Sequence, residues 1–271
     1  MSDDRVTISV SDGVADVRLN RPEKMNALDP AMFSAIRSAA ATLSADSTVR
    51  AVVLSGEGRA FCAGLDLQSF QAMENAGERE ERTGDLLSRD GAAQANAAQQ
   101  VAWAWHEAPM PVIAAVHGVA FGGGLQLALG AVVRFVAPDA RLSIMEGCWG
   151  LVPDMAGTQL LRHVSRADFI KELTYTARIV PGVEAVEVGF ATHVSEQPLE
   201  AAMELAREIA ENSPDAVRAA KALLNQSVEL DAGAGLALEA STQRSLIGGA
   251  NQLEAVRSNL EKRPAVYADP S

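Results

Sequence analysis

Three consecutive glycines, Gly122-Gly123-Gly124, stand between the apolar run Val112-Ile113-Ala114-Ala115-Val116 and an apolar stretch that opens Leu125-Gln126-Leu127. Glycine loses more conformational freedom on folding than any other residue, so three in a row at a buried junction require a compensating gain. A strand turning sharply into a helix supplies one. The first amide N–H groups of a helix have no partner within it, and a backbone bare of side chains lets a ligand approach them closely. The chain is thereby confined to folds with such a junction at their core. A dinucleotide-binding turn shares the outline but does not fit, since the spacing lacks G-x-G-x-x-G and Leu142 holds the place of the ribose-binding acid.

The segment from Val112 to Ala137 is apolar and long enough to span a bilayer. Gly118, the glycine triplet, Gly130 and Arg134 divide it instead into strand, turn, short helix and strand of a buried core, so no membrane span is expected. At 271 residues with 48% hydrophobic content, the chain fits one large domain or a domain with an appended subdomain. A net charge of −12 repels phosphate backbones and argues against nucleic acid as a partner. An anionic ligand would have to be met by a few basic side chains and backbone amides. Two cysteines, Cys62 and Cys148, form no disulfide framework, and the acidic start Met1-Ser2-Asp3-Asp4-Arg5 is no secretion signal; the expectation is cytoplasmic. Four scattered histidines without paired ligand spacing suggest no metal.

Alternating runs at Val6–Val10 and Val14–Leu19 around Asp12-Gly13 predict a hairpin. Asp29-Pro30 predicts a capped helix reaching about Leu43, and Val49–Leu54 a short strand. The polar, charge-rich stretch from Met73 to Gln100 reads as a solvated surface excursion. Val132–Val136 is a second buried run, Ser165 and Ser213-Pro214 read as helix starts, and from Leu199 onward the pattern is helical. Strands and helices alternate and then helices dominate, which predicts an α/β core at 1–198 and a helical region at 199–271. No internal sequence repeat is evident.

Two further stretches carry chemistry. Ala60-Phe61-Cys62-Ala63-Gly64-Leu65-Asp66-Leu67 follows a strand and is small enough for close backbone approach. In Ser143-Ile144-Met145-Glu146-Gly147-Cys148-Trp149-Gly150-Leu151-Val152-Pro153-Asp154, two acids stand among apolar residues, and the glycines and proline forbid one continuous helix. A carboxylate among Met145, Trp149 and Leu151 is expected to be desolvated, which raises its pKa and makes it a better base once ionised. The competing readings are a structural acid at Glu146 and a helix cap at Asp154.

Taken together and in this order, these stretches resemble the enoyl-CoA hydratase/isomerase (crotonase) superfamily. Arg21-Pro22-Glu23-Lys24-Met25-Asn26-Ala27-Leu28 resembles its N-terminal signature and Leu260-Glu261-Lys262-Arg263-Pro264 its closing helix, so the likeness covers nearly the whole chain. The resemblance implies a crotonase-like spiral of ββα units with a C-terminal helical trimerisation region, assembled as a trimer or a dimer of trimers. It implies a coenzyme A thioester substrate, no cofactor, and an oxyanion hole of two amides, placed by position at Ala63 and Gly123. The stretch Ala63, Gly64, Leu65 and Asp66, with Gly122, Gly123, Gln126 and Lys24, would then border the substrate, and Lys262 would reach its phosphates. Two amides aimed at a thioester enolate stabilise it by several kcal/mol.

The family's hydratases use two glutamates. Glu146 matches one position, while the other holds Gln126, which can hydrogen-bond but not titrate. Hydration needs a base for water and an acid for carbon, whereas double-bond isomerisation needs one base and an oxyanion hole. Dienoyl-CoA isomerases add an aspartate eight residues after the glutamate, where Asp154 falls, but they carry an aspartate at the Gln126 position, so that match is partial. The expectation is an isomerase in which Glu146 shuttles a proton, Asp154 assists or protonates a distal carbon, and Gln126 orients substrate or water. A hydratase with Asp154 as the second acid is the alternative. A non-catalytic binding protein and a Cys or Ser hydrolase are less well supported.

Overall fold

The computed structural model describes residues 4–66, 86–89 and 93–270, so most of the Met73–Gln100 excursion lies outside the described residues. Asp12 and Gly13 both adopt positive φ, 52° and 76°, the geometry that matches hairpin turns to strand twist. They join β1 (Val6–Ser11) antiparallel to β2 (Val14–Leu19). Beyond this hairpin the large sheet is parallel. It adds β3 (Ala51–Gly56), β4 (Val112–Val116), β6 (Val133–Val136) and β9 (His193–Val194), in the order β1-β2-β3-β4-β6-β9. A smaller sheet holds β5 (Val119–Phe121), β7 (Arg141–Ser143) and β8 (Val180–Pro181).

The chain winds between the two sheets. β4 runs into β5 and β6 into β7, and β3 is followed by Cys62, which bridges in parallel to Ala120 of β5. Each turn of this spiral leaves one strand in the large sheet and the next beside the small one. It is a structural repeat without a sequence repeat, because what recurs is the alternation of buried runs and turns rather than residue identity.

Helix α1 (Pro30–Ala45) begins as expected, with the Asp29 carboxylate accepting from the Met32 amide at 2.7 Å. Helix α2 (Ala97–Glu107) opens with a reciprocal Asn96–Gln99 cap, and the seven-residue α3 (Gly123–Leu129) follows the glycine triplet directly. Then come α4 (Gly157–Leu161), α5 (Ala167–Thr176), α6 (Pro198–Ala210), α7 (Pro214–Ser227), α8 (Ala232–Leu246) and α9 (Ala250–Glu261). Helix α5 starts one residue later than Ser165 suggests, with Arg166 at its cap. Among the described residues no helix is long and apolar enough to cross a membrane.

The main core packs Val17, Leu19, Leu54, Val112 and Val116 against α1–α3 through Ile36, Trp105 and Leu125. The opposite face of the same strands, Val14, Ala51, Val53, Ile113 and Ala115, is covered by Ala202, Ala206 and Ala210 of α6. Parallel strands buried on both faces need cover on both. Helix α6, at the start of the expected helical region, therefore completes the core, and α7 follows it from Pro214. Helix α7 is pinned to the spiral by Lys221, whose ammonium donates to the carbonyls of Trp105, Ala108 and Met110 at 3.0, 2.6 and 2.9 Å. Helix α8 buries no residue, and Leu236 and Leu260 stand 64% and 80% exposed.

Candidate active site

Strands β3 and β4 are neighbours in register, and both glycine-containing turns lie downstream of their C-terminal ends. That end of a parallel sheet is where ligands of α/β folds bind. The turns touch. Cys62 donates its amide to Val119 at 3.0 Å and accepts from Phe121 at 3.1 Å. Gly64 has φ +86°, and a β-carbon there would lie 2.6 Å from the Phe121 carbonyl oxygen and 3.8 Å from the Gly123 nitrogen. Only glycine admits this approach.

The hydrogen bonds in these turns revise one expectation. The amide of Ala63 is engaged with the Met25 carbonyl at 2.9 Å and cannot serve as an oxyanion donor. The positive φ of Gly64 reverses the chain, and the next amide, that of Leu65, has no protein acceptor among the described residues. The Leu65 residue is held from either side, since Leu28 donates to the Gly64 carbonyl at 2.8 Å and Asp66 to the Leu28 carbonyl at 3.1 Å. The Gly123 amide, at the first position of α3, likewise has no protein acceptor among the described residues. Leu65 and Gly123 thus each present an amide donor without a protein acceptor among the described residues.

Asp66 does not face a ligand. It is 5% exposed and its carboxylate pairs with the Arg21 guanidinium. Sequence reading also missed the work of Asn26, held with Met25 in left-handed backbone (φ 54° and 51°). Its side chain accepts from the Arg21 amide at 2.8 Å and donates to the carbonyls of Glu57, Ala60 and Phe61 at 3.0, 2.8 and 3.2 Å. The Arg21–Leu28 motif is therefore the scaffold of the first turn, and Lys24, exposed on a 3-10 turn (Pro22–Lys24), is its only lysine. Lys262 is exposed at the end of α9, and among the described residues no contact brings it to the glycine turns.

Glu146 opens a 3-10 turn (Glu146–Trp149) and is 8% exposed. Gly122, in a backbone region open only to glycine (φ +50°, ψ −118°), brings the triplet against it: a β-carbon on Gly122 would sit 3.1 Å from Glu146 Oε1. Burial raises the Glu146 pKa above the ordinary glutamate value; hydrogen bonds from its own backbone and from Gln126 oppose the rise, and Asp154 adds to it. The expected desolvation is present, although Trp149 and Leu151 are themselves exposed. Gln126, 3% exposed, donates to Glu146 Oε1 at 2.6 Å, and its carbonyl oxygen accepts from the amides of Met155 and Gly157 at 2.8 and 2.9 Å. It holds Glu146 and the neighbouring turn, where the sequence suggested a contact to substrate or water. Glu146 Oε2 is buried and has no hydrogen-bond partner among the described residues.

Asp154 lies at the surface on the rim of a groove of about 1010 Å³, and surrounding protein still raises its pKa by partial desolvation. The Cys62 thiol is buried, donates to the Asn26 carbonyl at 3.2 Å and is pushed up to about 12 by desolvation, so it is no nucleophile. Among the described residues no group of His, Cys, Asp or Glu side chains could hold a metal ion.

Comparison with known proteins places this arrangement. The family described as enoyl-CoA hydratase/isomerase matches residues 9–270. Methylglutaconyl-CoA hydratase of Mus musculus is 33% identical over 262 residues, covering 94% of this chain and 79% of that protein. The Delta(3,5)-Delta(2,4)-dienoyl-CoA isomerase of Mus musculus is 32% identical over 260 residues, covering 92% and 77%. The crystal structure of an enoyl-CoA hydratase from Bacillus anthracis superposes with a TM-score of 0.87 at 31% identity, over 98% of this chain and 100% of that one. With a family model matched over residues 9–270 and the glycine triplet set against a buried carboxylate on a two-sheet spiral, the chain belongs to the enoyl-CoA hydratase/isomerase family, the acyl-CoA enzymes of the crotonase type.

Proposed function

We propose that this enzyme isomerises a double bond in an enoyl-CoA or dienoyl-CoA thioester. The observation that carries the reading is the asymmetry of its two acid positions. Glu146 offers a buried, unpartnered carboxylate oxygen, while Gln126, at the other acid position of the hydratases, cannot titrate.

The thioester oxygen sits between the amides of Leu65 and Gly123. Glu146 Oε2 removes the proton at C2 of a 3-enoyl thioester, and negative charge passes through the dienolate to the oxygen, where the two N–H groups stabilise it. Returning the proton to C4 moves the double bond from C3=C4 to C2=C3. Desolvation makes Glu146 a stronger base once ionised than an exposed glutamate. With a 3,5-diene the proton is needed further along the chain, and Asp154, close enough to act electrostatically on Glu146, delivers it to the distal carbon. The reading requires no cofactor. Lys24, beside the first turn, meets the coenzyme A portion of the substrate. The exposed apolar residues of α8 and α9 support assembly as a homotrimer or a dimer of trimers, with Lys262 serving the phosphates across a subunit boundary; light scattering tests the assembly.

Hydration is the second reading, favoured by the same coupling of Asp154 to Glu146, which would make Asp154 the acid that Gln126 cannot be. Incubation with 3-enoyl-CoA, 2-enoyl-CoA and 3,5-dienoyl-CoA, followed by mass, separates the two. Unchanged mass with a shifted double bond supports isomerisation; gain of one water from 2-enoyl-CoA supports hydration and overturns the first reading.

A further inference from the structure

We infer that Gln126 is a positioning residue that makes Oε2 of Glu146 the proton-carrying atom and ties the base to the turn bearing Asp154. The inference rests on the reading of Glu146 as the base, and it comes from the direction of three hydrogen bonds. The Gln126 carbonyl oxygen lies 2.8 Å from the Met155 amide and 2.9 Å from the Gly157 amide. Backbone N–H groups only donate, so the acceptor end of the side chain must face them and the NH2 end must face Glu146. A carboxamide NH2 in turn only donates. Glu146 Oε1, 2.6 Å away, therefore always accepts, and when Glu146 is protonated its hydrogen sits on Oε2. Oε2 is the oxygen left without a partner.

The other end of Gln126 grips a turn that is hard to form. Ala156, between the two amides it binds, has φ +68°, a left-handed conformation that costs a non-glycine residue free energy. Asp154 immediately precedes this turn. One side chain thereby fixes which oxygen of the base is free and where the second acid stands. A glutamate at position 126 would keep an acceptor for Met155 and Gly157 but lose the donor to Glu146, setting two carboxyl groups against each other. Gln126→Glu should thus harm this enzyme, although it restores the pair of glutamates used by the family's hydratases.

The test is carboxyl 13C titration of Glu146, assigned by the signal missing in Glu146→Gln, in the wild type, Gln126→Glu and Gln126→Leu. Kinetics on 3-enoyl-CoA are measured alongside. The Glu146 titration should move to higher pH in both variants, further in Gln126→Glu, with Asp154 the other charged group acting on it and unchanged throughout. Turnover should fall roughly 10- to 100-fold with KM altered less than about three-fold, as for a misplaced rather than missing group. Gln126→Leu strands two amides; if it does not fold, Gln126→Glu, which keeps their acceptor, decides the matter. An unmoved Glu146 titration, or a loss confined to KM, overturns the inference. If the titration moves but the wild type turns over no enoyl-CoA, the positioning stands and the assignment of Glu146 as base falls.

Discussion

Beneath the first glycine turn, Arg21, Asn26 and Asp66 form a buried polar cluster; beneath the second, Gln126 and Glu146 form another. In the first, Asn26 uses its oxygen on Arg21 and its nitrogen on three carbonyls, and Arg21 pairs with Asp66 while donating to the Ala27 carbonyl at 3.2 Å. In the second, Gln126 is satisfied at both ends, yet Glu146 keeps one buried oxygen unpaired. An unpaired buried carboxylate oxygen costs stability and is rare in folded proteins. The contrast separates two kinds of support: the cluster with its polar atoms paired holds a turn still, and the incomplete one keeps an oxygen able to take a proton.

The comparison can be broken by substitution. Glu146→Gln should lower turnover by about 10²- to 10⁴-fold, the range for loss of an acid–base group. The same change should stabilise the fold at neutral pH. A carboxyl whose folded-state pKa is raised favours the folded state at low pH, and that contribution is lost as pH rises through the folded pKa. Thermal unfolding at pH 7 should therefore rise in the variant, by about 2–4 °C per kcal/mol, and the advantage should vanish in acid. A variant no more stable than the wild type would mean that Oε2 is satisfied after all.

In the scaffold cluster the signs are reversed. Arg21→Ala leaves Asp66 buried without its cation and should cost about 3–5 kcal/mol in urea unfolding. Asn26→Ala should cost less, about 1–3 kcal/mol, because its partners are neutral carbonyls. If either lowers turnover while leaving stability intact, the division between the clusters is wrong. Smallest of all, Lys24→Ala should raise KM by no more than about 2- to 5-fold, since it is an exposed charge, and kcat should not change.

Much of this was legible in the chain. The Asp29 cap, the Asp12-Gly13 hairpin and the runs at 112–116 and 132–136 are local signals, and each forms an element close to where it is expected. The glycine triplet and Glu146 likewise come together at one site. The failures share a cause. The resemblance places a donor at Ala63, two residues before Leu65 in the same turn, and only the reversal at Gly64 decides which amide is free. Asp66 reads as a ligand-facing acid until Arg21, 45 residues earlier, is seen to claim it. Helix α6 reads as part of a helical tail until its alanines are found against the sheet.

By itself, then, the sequence determined the family, the run of elements and the residue types available for acyl-CoA chemistry, because these depend on short-range patterning and covalent identity. The tertiary structure decided which amides of the glycine turns are left without a protein acceptor, which oxygen of Glu146 is unpaired among the described residues, and that Gln126 holds Glu146. Those outcomes depend on hydrogen-bond direction between segments far apart in the chain, and a one-dimensional pattern carries no direction.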